Sequence, residues 1–263
     1  MENHTKSELD RIGEGIIAGR NPVLEALRAG RQLDKVYIAK GDTDASLRRI
    51  AGLARDAGAV VVETDRRKLD AMSDTNAHQG VVALGAVRRY ADVEALLAVS
   101  QEKGEPPFLL IGDEIADPHN LGAMIRTAEA AGAHGLIIPK RRSAGVTAVV
   151  EKTSAGAASH FPVARVPNLT AAIEKLKKAG VWICGTVPVG GIALWEAELT
   201  GPLAIVIGSE GGGMSRLVSE HCDFHIQIPM YGQVSSLNAS VSAAVLLYEA
   251  LRQRKGQGGK ARG

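Results

Sequence analysis

The chain has little cysteine, no long hydrophobic run and almost no net charge. Its two cysteines, Cys184 and Cys222, lack metal-ligand spacing, so buried free thiols are favoured over a disulfide or a metal site. The apolar runs, such as 135–139 and 203–207, are far shorter than the roughly 18 residues that suggest a membrane span. The polar N-terminus MENHTKSELD has no signal-peptide features. We therefore expect a cytoplasmic protein with no membrane partner.

Several familiar site motifs are also absent. The stretch VIGSEGGGMS (206–215) ends a hydrophobic run in glycines, but it has no lysine, which excludes a Walker phosphate loop. Its glycines also do not open a helix early in the chain, as a dinucleotide-binding fingerprint requires. No HExxH, CxxC or Gly-x-Ser-x-Gly motif occurs. Metal-dependent hydrolysis and thiol or serine acyl transfer are therefore poorly supported, and we expect no metal.

Charge is distributed unevenly despite a formal net charge of only +2. The last dozen residues, RQRKGQGGKARG, carry five basic and no acidic side chains. Two interpretations of this tail stay open, a solvated end or an arm that makes sequence-independent phosphate contacts. Lys140, Arg141 and Arg142 form a second basic cluster, which is interpreted most simply as a surface turn.

Short β-branched runs alternate with helical patterns, which predicts an α/β architecture with largely parallel sheets. Residues 1–88 make a credible small domain that begins with a helix, NPVLEALRAG, capped by Asn21 and ended by Gly30. Residues 89–107 include the breaker-rich EKGEPP and are predicted to be a linker. Residues 108–263 hold a second series of strands and helices.

Polar residues follow three strands of the second series, where ligands of open α/β sheets bind. Helix caps and solvated surface positions are the ordinary explanation of each one taken singly. Three consecutive glycines, 211–213, instead indicate a backbone that approaches a ligand closely or adopts positive φ. The candidate residues are Asn120 and Arg126 after FLLIGD, Glu210 after LAIVIG, and Ser236 and Asn238 after FHIQIP.

The three stretches together resemble a known family. DPHNLGAMIRTAEAAG, IVIGSEGGGMS and IPMYGQVSSLNASVSAAVLLYEALRQR are similar, in order and spacing, to the three motifs of the SpoU/TrmH group of SPOUT methyltransferases. IAGRNPVLEALRAG and HQGVVALGAV resemble the small RNA-recognition domain of bacterial 23S rRNA guanosine 2'-O-methyltransferases. The resemblance covers almost the whole chain apart from the first dozen residues and the glycine-rich tail.

The resemblance implies a fold and an activity. The fold would be an N-terminal α/β RNA-recognition domain plus a C-terminal SPOUT-type parallel sheet with a trefoil knot. The activity would be methyl transfer from S-adenosylmethionine to a guanosine ribose 2'-hydroxyl of ribosomal RNA, by a homodimer paired through the knot region. The cofactor would be contacted around Gly208, Ile228 and Leu237.

The resemblance also implies roles at the site. Asn120, Arg126, Glu210, Ser236 and Asn238 match the family's functional residues. Family proposals make Arg126 catalytic, but a guanidinium stays protonated in proteins. We therefore favour a role in gripping the substrate phosphate and orienting the hydroxyl. Glu210 is chemically the easier proton acceptor, or it holds Arg126 or Asn120, and Asn120 or Arg126 completes the partner's site.

Some alternatives stay open. A tRNA ribose enzyme or a resistance methylase acting on another rRNA nucleotide would share the same chemistry, and a noncatalytic RNA-binding assembly factor would share the fold. The intact site residues argue against the last of these. Arg20, Asn21 and the loop 76–80 are predicted RNA contacts of the N-terminal domain. Val241, Leu246 and Leu247 on the last helix fit either the dimer contact or the chain's own core.

Overall fold

The computed structural model describes residues 15–42, 44–73, 77–86 and 90–256. The extreme N-terminus, Asn76 of the predicted RNA-contacting loop and the tail beyond Gly256 lie outside the described residues. The described chain forms two compact units, 15–86 together with Gly145–Ala148, and 90–144 together with 149–256. Within these ranges no helix has the length and apolar character needed to cross a membrane.

The first unit is built on a four-stranded sheet in the order β1-β4-β2-β3, with β2 and β3 parallel and β4 antiparallel to both of its neighbours. The strands are β1 (Ile16–Ala18), β2 (Leu33–Ala39), β3 (Val60–Thr64) and β4 (Val81–Gly85). The helices are α1 (Arg20–Arg28), α2 (Ala45–Asp56) and α3 (Arg66–Met72). Val23 of α1 and Ile50 of α2 are buried in one apolar cluster with Val36 and Val81 of the sheet, so these helices cover one sheet face.

The start of α1 differs from the sequence-based prediction. The helix begins at Arg20 with Gly19 at the N-cap position, and no side chain caps it. Gly19 has a φ of 102°, a left-handed value that favours glycine, and its N–H donates to the carbonyl of Val81 at 3.0 Å. The prediction that Asn21 caps this helix was therefore wrong, because pairing with β4 fixes the chain two residues earlier.

The second unit is built on a seven-stranded sheet whose paired strands are all parallel, in the order β7-β6-β5-β10-β8-β11-β9. The strands are β5 (Phe108–Gly112), β6 (Gly135–Pro139), β7 (Val163–Val166), β8 (Trp182–Thr186), β9 (Ile192–Ala193), β10 (Leu203–Ile207) and β11 (Phe224–Gln227). Every residue of β5 and β10 is buried, as expected for central strands covered on both faces. All carboxyl ends therefore meet at one edge.

The helices of the second unit cover both faces of this sheet. They are α4 (Val93–Lys103), α5 (Pro118–Ala130), α6 (Ala148–Thr153, which starts at the last residue grouped with the first unit), α7 (Leu169–Lys178), α8 (Arg216–His221) and α9 (Ala239–Gly256). Helix α4 lies inside the predicted linker, where Asp92 caps it and Gly104 ends it in the left-handed conformation. Val93 and Leu96 are buried in the core of the second unit, so this part of 89–107 packs with the second unit.

Candidate active site

The glycine turn (Ser209–Gly213) follows β10 at the carboxyl edge of the sheet. Ser209 and Gly213 exchange two backbone hydrogen bonds, each of 2.9 Å. Gly213 has a φ of 64°. A Cβ atom on the preceding Gly208 would lie 2.1 Å from the carbonyl carbon of Gly213. The turn therefore needs glycine at 208 because the chain passes close to itself, and at 213 because φ is positive.

Asp113 braces this turn from the neighbouring strand. Its side chain is buried, and Oδ2 accepts a hydrogen bond of 2.6 Å from the N–H of Ser215. Its own N–H donates to the carbonyl of Ile207 at 2.8 Å. Asp113 is not among the residues predicted from the sequence. An acidic residue directly after a fully apolar strand is the signal that would have found it.

Three of the predicted residues meet in what we call the amide–carboxylate cluster, Asn120, Glu210 and Asn238. The Nδ2 group of Asn120 donates to Glu210 Oε1 at 2.9 Å, and that of Asn238 donates to Asn120 Oδ1 at 3.0 Å. Asn238 Nδ2 also donates to Glu210 Oε1. These hydrogen bonds form a closed triangle that joins the loops after β5, β10 and β11.

Asn238 has a second role at the start of α9. Its Oδ1 accepts hydrogen bonds from the N–H groups of Ser240 at 2.9 Å and Val241 at 3.3 Å. Such bonds satisfy donors that an α-helix leaves unpaired at its start. One asparagine thus caps the helix with its oxygen and joins the cluster with its nitrogen. Asn120, by contrast, is not a cap, because Asp117 caps α5 by accepting from the N–H of His119.

A cavity of about 520 Å³ opens beside the glycine turn. Gly208, Ile228 and Leu237 all line it, and so do Glu210 and Ser236. The remaining lining residues are Thr186, Val187, Pro188, Val189, Ile207, Ser209, Gly211, Gly212, Gly213, Ile226, Met230, Ser235, Ala239, Ser242 and Leu246. The wall formed by 186–189 was missed from the sequence, although Pro188, two residues after β8, marks the loop at the carboxyl end of that strand.

Two family models match this chain. Residues 107–248 match the model described as the SpoU rRNA Methylase family. The chain belongs to the SpoU methylase family. Residues 16–91 match the model described as RNA 2'-O ribose methyltransferase substrate binding. The first unit of this SpoU-family chain is therefore its substrate-binding domain.

The SpoU-family chain is similar to named relatives and solved structures along most of its length. The Bacillus subtilis (strain 168) protein YacO, named as a TrmH family tRNA/rRNA methyltransferase, is 47% identical over 90% of this chain and 95% of its own. The SpoU methyltransferase AviRb from Streptomyces viridochromogenes, solved in complex with AdoMet, matches with a TM-score of 0.59 and 27% identity over 96% of this chain and 95% of that one. The A. aeolicus TrmH/SpoU tRNA modifying enzyme matches with a TM-score of 0.53 and 28% identity, over 63% of this chain and 86% of that one.

Arg126 does not join the amide–carboxylate cluster of this SpoU-family chain. It is exposed on α5, and its side chain forms no hydrogen bond or ion pair with any described residue. Asn120 and Arg126 are six residues apart on one helix. Their side chains therefore point in directions about 120° apart and are separated by about 9 Å along the helix axis. Arg126 therefore faces away from the cluster that Asn120 joins on the same helix.

The last helix divides the three apolar residues considered for a dimer contact. Leu246 and Leu247 are fully buried within the chain, whereas Val241 is 46% exposed. Helix α9 packs against α5 in the same unit. Leu246 and Leu247 therefore belong to the core of this SpoU-family chain, and only Val241 is available to a second copy.

Arg20 in the substrate-binding domain is engaged internally. Its Nε donates to the carbonyl of Gln79 at 2.9 Å, and its Nη1 lies 2.5 Å from Asp44 Oδ2. Asp42 is also 3.8 Å from the guanidinium. Arg20 thus ties the start of α1 to the described part of the predicted RNA-contacting loop, and neighbouring carboxylates neutralise its charge.

Proposed function

We propose that this protein methylates a ribose 2'-hydroxyl of a guanosine in 23S rRNA, with S-adenosylmethionine as the methyl donor. The observation that carries the proposal is the pair of family matches, a methylase model over 107–248 and a 2'-O ribose substrate-binding model over 16–91. The AdoMet-bound AviRb structure, which aligns over both units, supports the choice of cofactor. The preference for guanosine in 23S rRNA rests on the resemblance of IAGRNPVLEALRAG and HQGVVALGAV to enzymes of that kind.

The cavity beside the glycine turn suits such a cofactor. Its volume of about 520 Å³ lies within the roughly 300–1,000 Å³ of small-molecule sites. Apolar side chains of Ile207, Ile226 and Leu246 line it together with backbone groups of the glycine turn, a combination that suits a nucleoside with polar edges. We assign Gly208, Ile228 and Leu237 to cofactor contacts. The cofactor, when bound, supplies a methyl group activated by attachment to a positively charged sulfur.

The amide–carboxylate cluster orients the reacting ribose in this proposal. Both asparagine amides bond to the same oxygen of Glu210, Oε1. The second oxygen forms no hydrogen bond with the described residues, and Glu210 is exposed. That oxygen is available to accept the proton of a 2'-hydroxyl, while Ser236 at the cavity wall supplies a further polar contact. In-line transfer depends on holding the hydroxyl in line with the methyl group. A closed triangle of hydrogen-bonded side chains provides a fixed position for the hydroxyl.

Arg126 acts across a dimer interface in this proposal. Because it faces away from its own cluster, we assign it to the site of a second copy, where it grips the substrate phosphate. The homodimer pairs through the knot region, and the trefoil knot that the resemblance implies is part of the proposal. Mixing Arg126→Ala with Asn120→Ala protein tests the assignment, because one site in each mixed dimer regains both residues. About a quarter of wild-type activity is expected after subunit exchange, whereas action in cis gives no recovery.

The activity is tested by incubating the purified protein with radiolabelled S-adenosylmethionine and, separately, unmodified 23S rRNA and bulk tRNA. Mass spectrometry then maps any methylated ribose. Label at one guanosine 2'-oxygen of 23S rRNA is the expected result. Label on tRNA alone would keep the chemistry and replace the substrate, an alternative favoured by the tRNA modifying enzyme among the solved structures. Failure to bind the cofactor would overturn the proposal.

A further inference from the structure

A basic turn, Lys140–Arg142, lies at the same sheet edge as the amide–carboxylate cluster. It directly follows β6, which pairs in parallel with β5, with Ile137 opposite Ile111. The loop after β5 leads into α5, which carries Asn120. β6 is two strands from β10 in the sheet order, a separation of about 10 Å. The basic turn and the glycine turn therefore flank the loop that positions Asn120.

The basic turn is held in place by the loop after β5. The carbonyl of Ile115 accepts hydrogen bonds from the N–H of Ala144 at 2.7 Å and from Ser143 Oγ at 3.1 Å. Arg142 Nη1 donates to Glu114 Oε1 at 2.9 Å. Glu114 and Arg142 both adopt left-handed backbone conformations, with φ of 58° and 57°. Residues other than glycine rarely adopt this conformation. The opposed loops thus have a defined shape rather than that of a solvated connection.

Much of the positive charge of the basic turn is not paired with acidic groups of the described residues. The side chains of Lys140 and Arg141 form no ion pair or hydrogen bond with any described residue. Arg142 pairs with Glu114, yet its side chain is 78% exposed. Arg165, which lies beneath the turn and is buried, donates to the carbonyl of Lys140 at 3.3 Å. Two exposed arginines and the half-buried Lys140 therefore face a single carboxylate, which leaves an excess of positive charge next to the site.

We infer that the basic turn binds phosphate groups of the substrate RNA a few nucleotides from the ribose that is methylated. The inference rests on the proposed function and adds a second anchoring point to it. A separation of about 10 Å is a distance that a few nucleotides span. Phosphate contacts carry no sequence information but fix register. Lys140 and Arg141 therefore add affinity and hold the strand so that its ribose reaches the amide–carboxylate cluster.

The double variant Lys140→Ala/Arg141→Ala tests this inference against Lys178→Ala. Lys178 is an exposed lysine at the end of α7, next to the amino-terminal end of β8 and so at the opposite edge of the sheet. The dissociation constant for a 23S rRNA transcript and for bulk tRNA is measured over a series of KCl concentrations. We expect the double variant to bind RNA about tenfold more weakly, with a log–log salt slope lower by about 2. KM for RNA rises while kcat and cofactor affinity stay unchanged, and Lys178→Ala matches wild type.

Removing a negative charge next to the basic turn distinguishes RNA binding by the turn from a purely structural role. Glu114→Gln removes the carboxylate that neutralises Arg142, so RNA binding should become tighter and more salt-dependent. A structural role alone predicts weaker binding from this substitution. A double variant that keeps the wild-type salt slope and KM, beside a wild-type enzyme that methylates RNA, overturns this inference and leaves the proposed function intact. A wild-type protein that neither binds nor methylates either RNA overturns both.

Discussion

The two edges of the seven-stranded sheet treat their charged residues differently. At the amino-terminal edge, Arg254 donates to the carbonyls of Leu199, Pro106 and Pro107 at 3.2–3.3 Å and covers the ring of Phe108 at 4.5 Å. At the carboxyl edge, Lys140 forms no such side-chain contact with the described residues, and neither does Arg141. Arg254 at the amino-terminal edge is satisfied by the protein, whereas Lys140 and Arg141 at the carboxyl edge have no such partner among the described residues.

Polar groups that stabilise the fold differ from polar groups that are available to a ligand. Burial lowers the pKa of Arg254, and such burial is tolerated because carbonyl oxygens surround the guanidinium. The carboxyl edge instead presents an exposed carboxylate, Glu210, which lines a cavity. Polar groups that a fold leaves unpaired around a concave site are the groups available to a ligand. Substitutions at the two edges should therefore affect different measurements.

The largest effect is expected from Arg126→Ala on α5. RNA methylation should fall by at least about 100-fold, the usual scale for removing one group that stabilises the reacting centre. Affinity for the cofactor should stay nearly unchanged because Arg126 does not line the cavity. Single-turnover methylation and cofactor titration measure the two quantities. Arg126→Lys keeps the charge without the planar fork, so intermediate activity is expected, and substantial turnover by the alanine variant would contradict the assigned role.

Gly208→Ala should have the next largest effect. The added methyl group would meet the backbone of Gly213 at 2.1 Å, so the glycine turn must shift, at a cost of about 1–3 kcal/mol. Because the turn lines the cavity, cofactor affinity should fall together with the unfolding free energy. Gly211→Ala is the matched control, since its Cβ would enter open space without positive φ. Equal losses of unfolding free energy in the two variants would refute the close-approach argument.

At the amino-terminal edge, Arg254→Ala should change stability and leave catalysis intact. It removes hydrogen bonds from a charged donor to several carbonyls, a loss of about 1–3 kcal/mol in unfolding free energy. Lys255→Ala, an exposed neighbour on the same helix, should lose much less. Urea denaturation measures the difference, and kcat measured well below the unfolding transition should match wild type. A marked fall in kcat would break the contrast between the two edges.

The smallest effect concerns His134, also at the amino-terminal edge. Its ring is buried, and Nδ1 accepts from the N–H of Phe108 at 3.0 Å. Burial lowers its pKa below the usual value, although the hydrogen bond to Glu105 acts in the opposite direction. The imidazole therefore binds a proton more readily in the unfolded chain than in the folded one. The contribution of His134 to the unfolding free energy is fully present above about pH 6.5 and declines as pH falls through the lower folded-state pKa.

His134→Gln should weaken this pH dependence, and His160→Gln should preserve it because His160 is an exposed histidine. Urea denaturation at pH 7.5 and at pH 5.5 measures the change. If the wild type is equally stable at both pH values, the assignment of a neutral buried ring to His134 is wrong.

Local signals predicted much of the secondary structure. Gly30 ends α1 with a φ of 69°, and Gly58 adopts 82° just after α2, as expected for glycines that terminate helices. The apolar runs FLLIG and LAIVI are the fully buried strands β5 and β10. The last helix begins at Ala239, because the side-chain oxygen of Asn238 caps it and so marks the boundary.

The residues missed at the site depend on long-range order. Asp113 contacts Ser215 only because β10 is inserted beside β5. Thr186 lines the cavity only because β8 flanks β10 on the other side. Parallel neighbours far apart in sequence leave no periodic pattern that would reveal their order.

By itself, the sequence determined the α/β class, the residue types at the three strand ends and the family to which the chain belongs, because these depend on local patterning and on motifs of contiguous residues. Only the tertiary structure decided which of those residues meet. It joined Asn120, Glu210 and Asn238 in one hydrogen-bonded triangle, turned Arg126 away from it, and set the basic turn beside the loop that leads to Asn120. The physical reason is that strand order and helix rotation place side chains in space, and neither is encoded in the spacing of any single motif.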